Sequence, residues 1–533
     1  MSRLGSLLCL CLLGVFLAVG CSRSTPPPGG GTGSDRVVIG TTAKIRTLDP
    51  ADAYEVFSGN LLYNLGDRLY TYETGTSTLK PHLATALPKV SEDGLTYTIP
   101  LRKGVKFHDG TPFDAKAMAF SLQRFIENGG QPAGLLSDPV QSVKATGDLE
   151  LTITLKKPFA AFTDLLAFSG LVPVSPKVYK KGAGQFLPEQ FVGTGPYQLV
   201  KLSGDAIRLA VFDDYWGTKP TNKGVDIQIF SSPANLFNAF RTGSIDLAYQ
   251  SLDPDQIQAL ENAAEQGDWQ AISGSGNVIN FLMLNLKDPA LSKVKVRQAI
   301  AGMINRDTLT DRVFKGQADP LYSLIPNTFS TIAQPVFQSQ KLDKTKITAL
   351  LKESGYDAGN PLKLNLWYRS NLTSDGVAAT TLKAMIAQDY GDIVQLDLNS
   401  VDSATAYNNL DKGTYPMFML DWTGDYYDPD TYVHPFLSCE KGSVKAGCEK
   451  GQSQAWGSFY YSDRANQLID QQRKTQDPKQ RQQIFGQIQT LLAQDVPYIP
   501  LWQKKDYVFG QKGIQGIQLQ PSQQFAFWAL SKS

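Results

Sequence analysis

The sequence predicts an α/β protein of more than one domain, and three observations carry that reading. Strand-like runs alternate with helical stretches through both halves of the chain. The 533 residues are several times what a single core organises, so roughly two to four domains are expected. Hydrophobic residues at 42% and charged residues at 19% give a globular composition, too apolar for a disordered chain and too polar for a polytopic membrane protein. No short repeat period is visible.

The elements follow in order. RVVIGTT (36–42) is a β-branched run after a polar linker and reads as a strand. Residues 55–70 carry Val56, Leu61, Leu62, Leu65 and Leu69 at helical spacing. SEDG (91–94) is a turn, Leu95 to Leu101 an alternating strand, and Asp109-Gly110 a tight turn needing positive φ. Asp114 stands as N-cap before the helix AKAMAFSLQRF. Strands are expected at 149–158, 207–216, 225–230 and 245–250, with a helix between the last two that ends at Gly243. In the second half, 294–316 reads as one long amphipathic helix stopped by Gly316, and 343–356 as another. The strand 361–368, a helix in 380–391 and the strands 393–400 and 416–422 follow. Residues 477–502 read as a helix running into a Pro-bounded strand.

The first 21 residues are an address rather than part of the fold. Arg3, an apolar run from Leu7 to Val19, and small residues before Cys21 resemble a bacterial lipobox, with Cys21 as the lipidated residue. An ordinary secretory signal or an uncleaved anchor are the other readings. Residues 22–35, rich in Pro and Gly, suit a flexible tether. Beyond Cys9 and Cys11 in the signal and Cys21 itself, only Cys439 and Cys448 remain. An even pair in an exported chain is a disulfide candidate worth roughly 2–3 kcal/mol for a loop of about ten residues; two free thiols are the other possibility. With 51 basic against 50 acidic side chains, nothing in the charge balance calls for nucleic acid. Three histidines argue against a histidine-rich metal site, and no cofactor is expected.

The block SEDGLTYTIPLRKGVKFHDGTPFDAKAMAFSLQR resembles the signature of the oligopeptide/dipeptide/nickel class of bacterial solute-binding proteins, the receptors of ABC importers. VGTGPYQLV (192–200), RTGSIDLA (241–248), NFLMLNL (280–286), VRQAIAGMINRDTL (296–309), WTGDYYDPD (422–430) and DVPYIPLW (495–502) continue the likeness in order. Two departures stand out: Asn305 where Asp is more frequent, and Asp421 where an apolar or small residue is more usual. The resemblance implies a two-lobed, type II periplasmic-binding-protein (Venus-flytrap) fold with an extra domain inserted in the first lobe. Carried onto this chain, lobe one combines 36–57, 193–283 and 508–533, the insert is 58–192, and lobe two is 284–507. It further implies a monomer, tethered to the membrane, that takes a peptide or similar solute in its cleft and hands it to a permease.

In peptide-binding members, the Asp matching Asp425 holds the ligand's α-ammonium. A desolvated ammonium needs such a carboxylate. Gly424 would let the backbone approach the ligand, and the backbone of Trp422 and Gly424 could pair with an extended peptide. Arg369 lies near the place where dipeptide-binding relatives keep an Arg for the ligand carboxylate. Tyr368, Trp367 and Tyr426 are candidate cleft aromatics, with core packing as their other reading. The loop from Thr42 to Leu48 is a further candidate for the cleft. A calcium loop of Asp425, Asp428 and Asp430 would need an alternating ligand spacing that is absent. GTGPY (193–197) lacks the P-loop pattern, while Asp93, Asp109, Asp114 and His108 read as structural. An exported hydrolase finds no G-x-S-x-G or H-E-x-x-H, although paired acids for glycoside cleavage stay open. A sensory receptor, and a sugar or nickel complex as ligand, stay open as well.

Overall fold

A computed structural model describes residues 35–338, 343–522 and 524–533. The signal segment, Cys21 and the tether up to residue 34 lie outside them. The principal sheet has eleven strands. Its order runs Val394–Val401, Leu362–Arg369, Met417–Trp422, Gln270–Leu284, Tyr498–Gly510, Leu247–Tyr249, Val37–Thr41, Val225–Ile229, Ala206–Val211 and Tyr197–Leu202, with Ala318–Pro320 added beside Tyr498–Gly510. The first three and the last five of these belong to opposite ends of the molecule. Only the two long antiparallel strands, Gln270–Leu284 and Tyr498–Gly510, serve both ends. Their register slips between Ser275 and Ile279 and again between Asn280 and Phe281. A bulge bends a ladder without ending it, so the crossing point of the two ends is also the place where the sheet can flex.

Three large cores flank this sheet. One gathers Phe281, Leu366, Phe418, Ile488 and Trp502 from residues 279–502. A second gathers Tyr97, Ile99, Leu122, Leu151 and Phe162 around a separate four-stranded sheet. A third joins Val37, Leu61, Ile227, Val508 and Phe527, from opposite ends of the chain. The helix Val56–Leu65 and residues Val172, Val174, Tyr179 and Phe191 pack on this third core and not on the second, although the sequence expectation grouped 58–192 together. Burial decides: Leu61, Leu62 and Leu65 have no exposed surface there.

Local signals act as expected at the caps. Asp114 accepts from Ala117 N at 2.8 Å and opens the helix Ala115–Glu127. Asp93 and Asp109 accept turn N–H groups from Leu95 and Thr111. The expected single helix over 294–316 is two, Val294–Met303 and Arg306–Phe314. Asn305 breaks it: its side chain accepts from Thr308 N and caps the second helix. His108 is held between Gly195 O and Gly193 N, and burial lowers its pKa to about 4. Cys439 and Cys448 are joined as a disulfide within the second lobe.

Candidate functional site

A cavity of about 950 Å³ lies where the three cores meet. Each part of the chain supplies a wall. The first lobe gives Tyr54, Asn60 and Gln524; the inserted sheet and its helices give Tyr72, Leu135, Phe159, Asp164 and Phe168. The second lobe gives Tyr407, the run Asp421–Tyr427, His434, Trp456 and Arg473. Asn277, on the bulge of the long strand, completes it. Aromatic walls with a few polar groups are what a small-molecule cleft needs.

The strand Met417–Trp422 ends at this cavity, and WTGDYYDPD turns there. Trp422 donates its indole N–H to Thr431 O at 2.9 Å and stands edge-on to Phe436 and Trp456. Its ring is thereby locked as wall. Gly424 N donates to the Tyr432 hydroxyl at 3.1 Å, so this N–H is taken by the protein and not left for an extended peptide. The missing side chain serves the turn, because a Cβ on Gly424 would lie 2.7 Å from Thr431 Cγ2 and 2.8 Å from Tyr432 Oη. Gly424→Ala is expected to cost about 1–3 kcal/mol by overpacking and to weaken binding as the turn shifts. Unfolding in urea and ligand titration read the two effects separately; an unchanged stability would show that the turn has room.

Asp425 stands apart from its neighbours. Its one side-chain partner among the described residues is the Tyr54 hydroxyl, which donates to Oδ1 at 2.7 Å from across the cavity. Burial pushes its carboxyl up to about 7, and no cation counters it among the described residues. Asp428 and Asp430 behave differently. Asp428 is bidentate with Arg481 at 2.5 and 2.7 Å. Asp430 takes both Nε and Nη2 of Arg473, the Tyr426 hydroxyl and the Gln472 amide. Burial opposes the Asp430 charge, but Arg473 outweighs it and holds this carboxyl well below the ordinary range. Three carboxylates aimed at separate partners cannot make a calcium loop, and no metal-holding group of acidic, His or Cys side chains occurs among the described residues.

Arg369 and Tyr368 lie off the cavity wall, contrary to expectation. Arg369 is 4% exposed. Its Nη1 donates to Asp421 at 2.6 Å and to the Tyr407 hydroxyl at 3.2 Å, and its Nε to Asp375 at 3.0 Å. Asp375 is fully buried, so the guanidinium answers an interior charge and is not free for a ligand. The unusual Asp421 is explained by this pairing: burial raises its pKa, but Arg369 and Lys504 outweigh that and hold it ionised. Tyr368 packs against the second-lobe core, and Trp367 against Tyr415. Tyr426 does reach the cavity, with its ring edge-on to Phe159. The expected contribution of Thr42 to Leu48 comes instead from Ala53 to Val56, which Arg46 braces through Asp52 and Glu55.

The model of the bacterial extracellular solute-binding proteins, family 5 (middle region) matches residues 78–443. A probable D,D-dipeptide-binding periplasmic protein of Escherichia coli K12 is 26% identical over 518 residues, covering 95% of this chain and 96% of its own. The dipeptide-binding protein of the same strain is 28% identical over 494 residues, with 86% and 87% covered. Among solved structures, NikA from Brucella suis in complex with Fe(III)-EDTA superposes with a TM-score of 0.81 at 22% identity. It covers 93% of this chain and 100% of that one.

Proposed function

This chain belongs to the bacterial extracellular solute-binding proteins of family 5, which bind solutes and do not transform them, and we propose that it captures peptides with a free α-amino group. The observation that carries this reading is Asp425, a half-buried carboxylate on the cavity wall with a tyrosine hydroxyl and, among the described residues, no cation for company. A desolvated carboxylate without a counter-charge is costly. An ammonium placed against it removes that cost and makes a charge-assisted hydrogen bond. The names of the two Escherichia coli relatives support peptides over other solutes. Lobes that meet at a bulged pair of strands suit closure by hinge bending around the guest. In the cell, Cys21 carries the lipid that tethers the exported, monomeric body, and the closed complex docks on the permease of an ABC importer.

Calorimetry with a short peptide and its N-acetyl form tests this. The free form is expected to bind at least tenfold tighter. Affinity for it should also depend on pH. Only ionised Asp425 accepts an ammonium, and in the empty cavity its pKa is about 7. Binding therefore weakens as pH falls through 7, by roughly tenfold between pH 8 and pH 6. Above roughly pH 8 the peptide loses its own proton, so affinity peaks between. Equal binding of the two forms, with a flat profile, would remove the amino group from the recognition.

A further inference from the structure

The cavity holds a further carboxylate, Asp164, that the WTGDYYDPD motif does not foreshadow. Asp164 sits on the short helix Phe162–Leu165 of the inserted domain. Its Oδ1 accepts from the Tyr72 hydroxyl at 3.1 Å, and it makes no ion pair among the described residues. The Tyr72 ring stands edge-on to Tyr427 at 5.7 Å, and Tyr427 stacks on Phe329 at 4.5 Å. Asp425 and Asp164 thus face one cavity from different domains, with Tyr427 and Tyr72 between them.

The cations near this space are committed elsewhere. Among the described residues, Arg473 is the one Arg or Lys on the wall, and it is bidentate with the fully buried Asp430, so the pair is neutral. Arg369 is closed off by Asp421 and Asp375. Arg46, behind the wall, serves Asp52 and Glu55. His434 also lines the wall, but burial lowers its pKa to about 3 and leaves it neutral. Lys504 acts on Asp421 and Asp375 from off the wall. Arg481 acts on Asp164 from off the wall, but it is bidentate with Asp428, whose charge opposes it. Asp425 and Asp164 are thus left without an ion pair among the described residues, as is the exposed Asp138, and no positive side chain of the described wall is left to receive a ligand carboxylate.

Building on the peptide reading above, we infer that this protein selects peptides carrying a basic side chain, with Asp164 as a second cation subsite, and that it leaves the peptide's carboxyl terminus ungripped. Charge balance is the physical reason. A neutral dipeptide would bring one ammonium and one carboxylate into a space offering unpaired anions and no free cation, so its carboxylate would be repelled and left dry. A Lys or Arg side chain past the first residue satisfies Asp164, and a terminus that reaches solvent avoids the penalty. Phe159 and Phe168 beside Asp164 would cover the aliphatic stem of such a side chain.

The test titrates the full chain in detergent with tetrapeptides in which one Lys is moved through positions two to four of an alanine background. Matched norleucine peptides keep the stem and drop the charge. At one position, Lys is expected to bind at least tenfold tighter than norleucine, and Glu there to abolish binding. Amidating the C-terminus should change affinity less than twofold. Asp164→Asn should erase the Lys preference, so that the Lys and norleucine peptides bind within twofold of each other. Because the Lys-norleucine comparison uses the unaltered protein, the outcome does not hang on the variant folding. Equal affinities for Lys and norleucine at every position, with the free-amine requirement intact, overturn the second subsite and spare the peptide reading. A tenfold loss on amidation overturns the ungripped terminus. No binding by any free-amine peptide overturns the peptide reading itself.

Discussion

Replacing Asp425 with Asn is expected to weaken binding of a free-amine peptide by about 2–5 kcal/mol, roughly 30- to several-thousand-fold, because it leaves a desolvated ammonium facing a neutral amide. The N-acetylated peptide should lose less than threefold. The Asn oxygen can still accept from Tyr54, so the bridge across the cavity survives. The empty variant should be no less stable than the parent. Burial raises the Asp425 pKa from its ordinary value to about 7, so the ionised form disfavours the folded state. Below the unfolded-state pKa this group costs nothing; the cost grows as pH rises through that range toward 7 and is full above it. Asn removes it, and the empty variant at pH 8 should therefore unfold at the same or a higher urea concentration. Equal losses for both peptides, or a variant that unfolds early, would mean that Asp425 holds the turn and not the ligand. The pH dependence of binding should vanish in the same variant, leaving only the fall above pH 8 from the peptide amine.

What the sequence disclosed of this site follows its chain geometry. Asp425, Trp422 and Tyr426 lie in one short run at the end of a strand, so a linear reading can find them. Tyr54, Tyr72, Asp164 and Arg473 come from four separated stretches, and each in its own neighbourhood is an ordinary tyrosine, cap or surface charge. Only the meeting of three cores makes them one wall. Arg369 misleads a linear reading because sequence shows a cation but not its partner; Asp375, six residues on, and Asp421, on the neighbouring strand, take its charge. The fold shows the same division. Caps and turns were legible at Asp114 and Asp93, where one side chain meets a nearby N–H. The strand Gln270–Leu284 was not, since its first half, QAISGSGNV, is polar and glycine-bearing. That half is a strand through its ladder with Tyr498–Gly510, a partner far along the chain, and such pairing overrides local propensity.

The largest effect on stability is expected from Arg124→Met, far from any ligand. Arg124 lies on the helix Ala115–Glu127 and is 1% exposed; Asp49, in the loop after the first strand, is wholly buried. They meet in a bidentate pair, both contacts 2.7 Å. The guanidinium also donates to Lys180 O and Gln185 O, and the carboxylate accepts from Ala51 N and Leu187 N. One pair thus ties the helix Ala115–Glu127 and the segment 180–187 to the loop that precedes Tyr54. Removing the cation strands a desolvated carboxylate, which costs about 3–5 kcal/mol. Urea unfolding should shift by that amount without a change in slope. The double variant Arg124→Met with Asp49→Leu should recover much of the loss, because it removes the stranded charge while retaining apolar volume. It should not recover full affinity. Without the Asp49 carboxylate the loop loses its anchors at Ala51 N and Leu187 N. Tyr54, which follows Ala51 closely in the chain and is joined to Asp425 across the cavity, is then held less firmly, by Arg46 through Asp52 and Glu55 alone on this side. A double variant as unstable as the single would place the weight on the backbone bonds of Arg124 and Asp49 instead of on their charges.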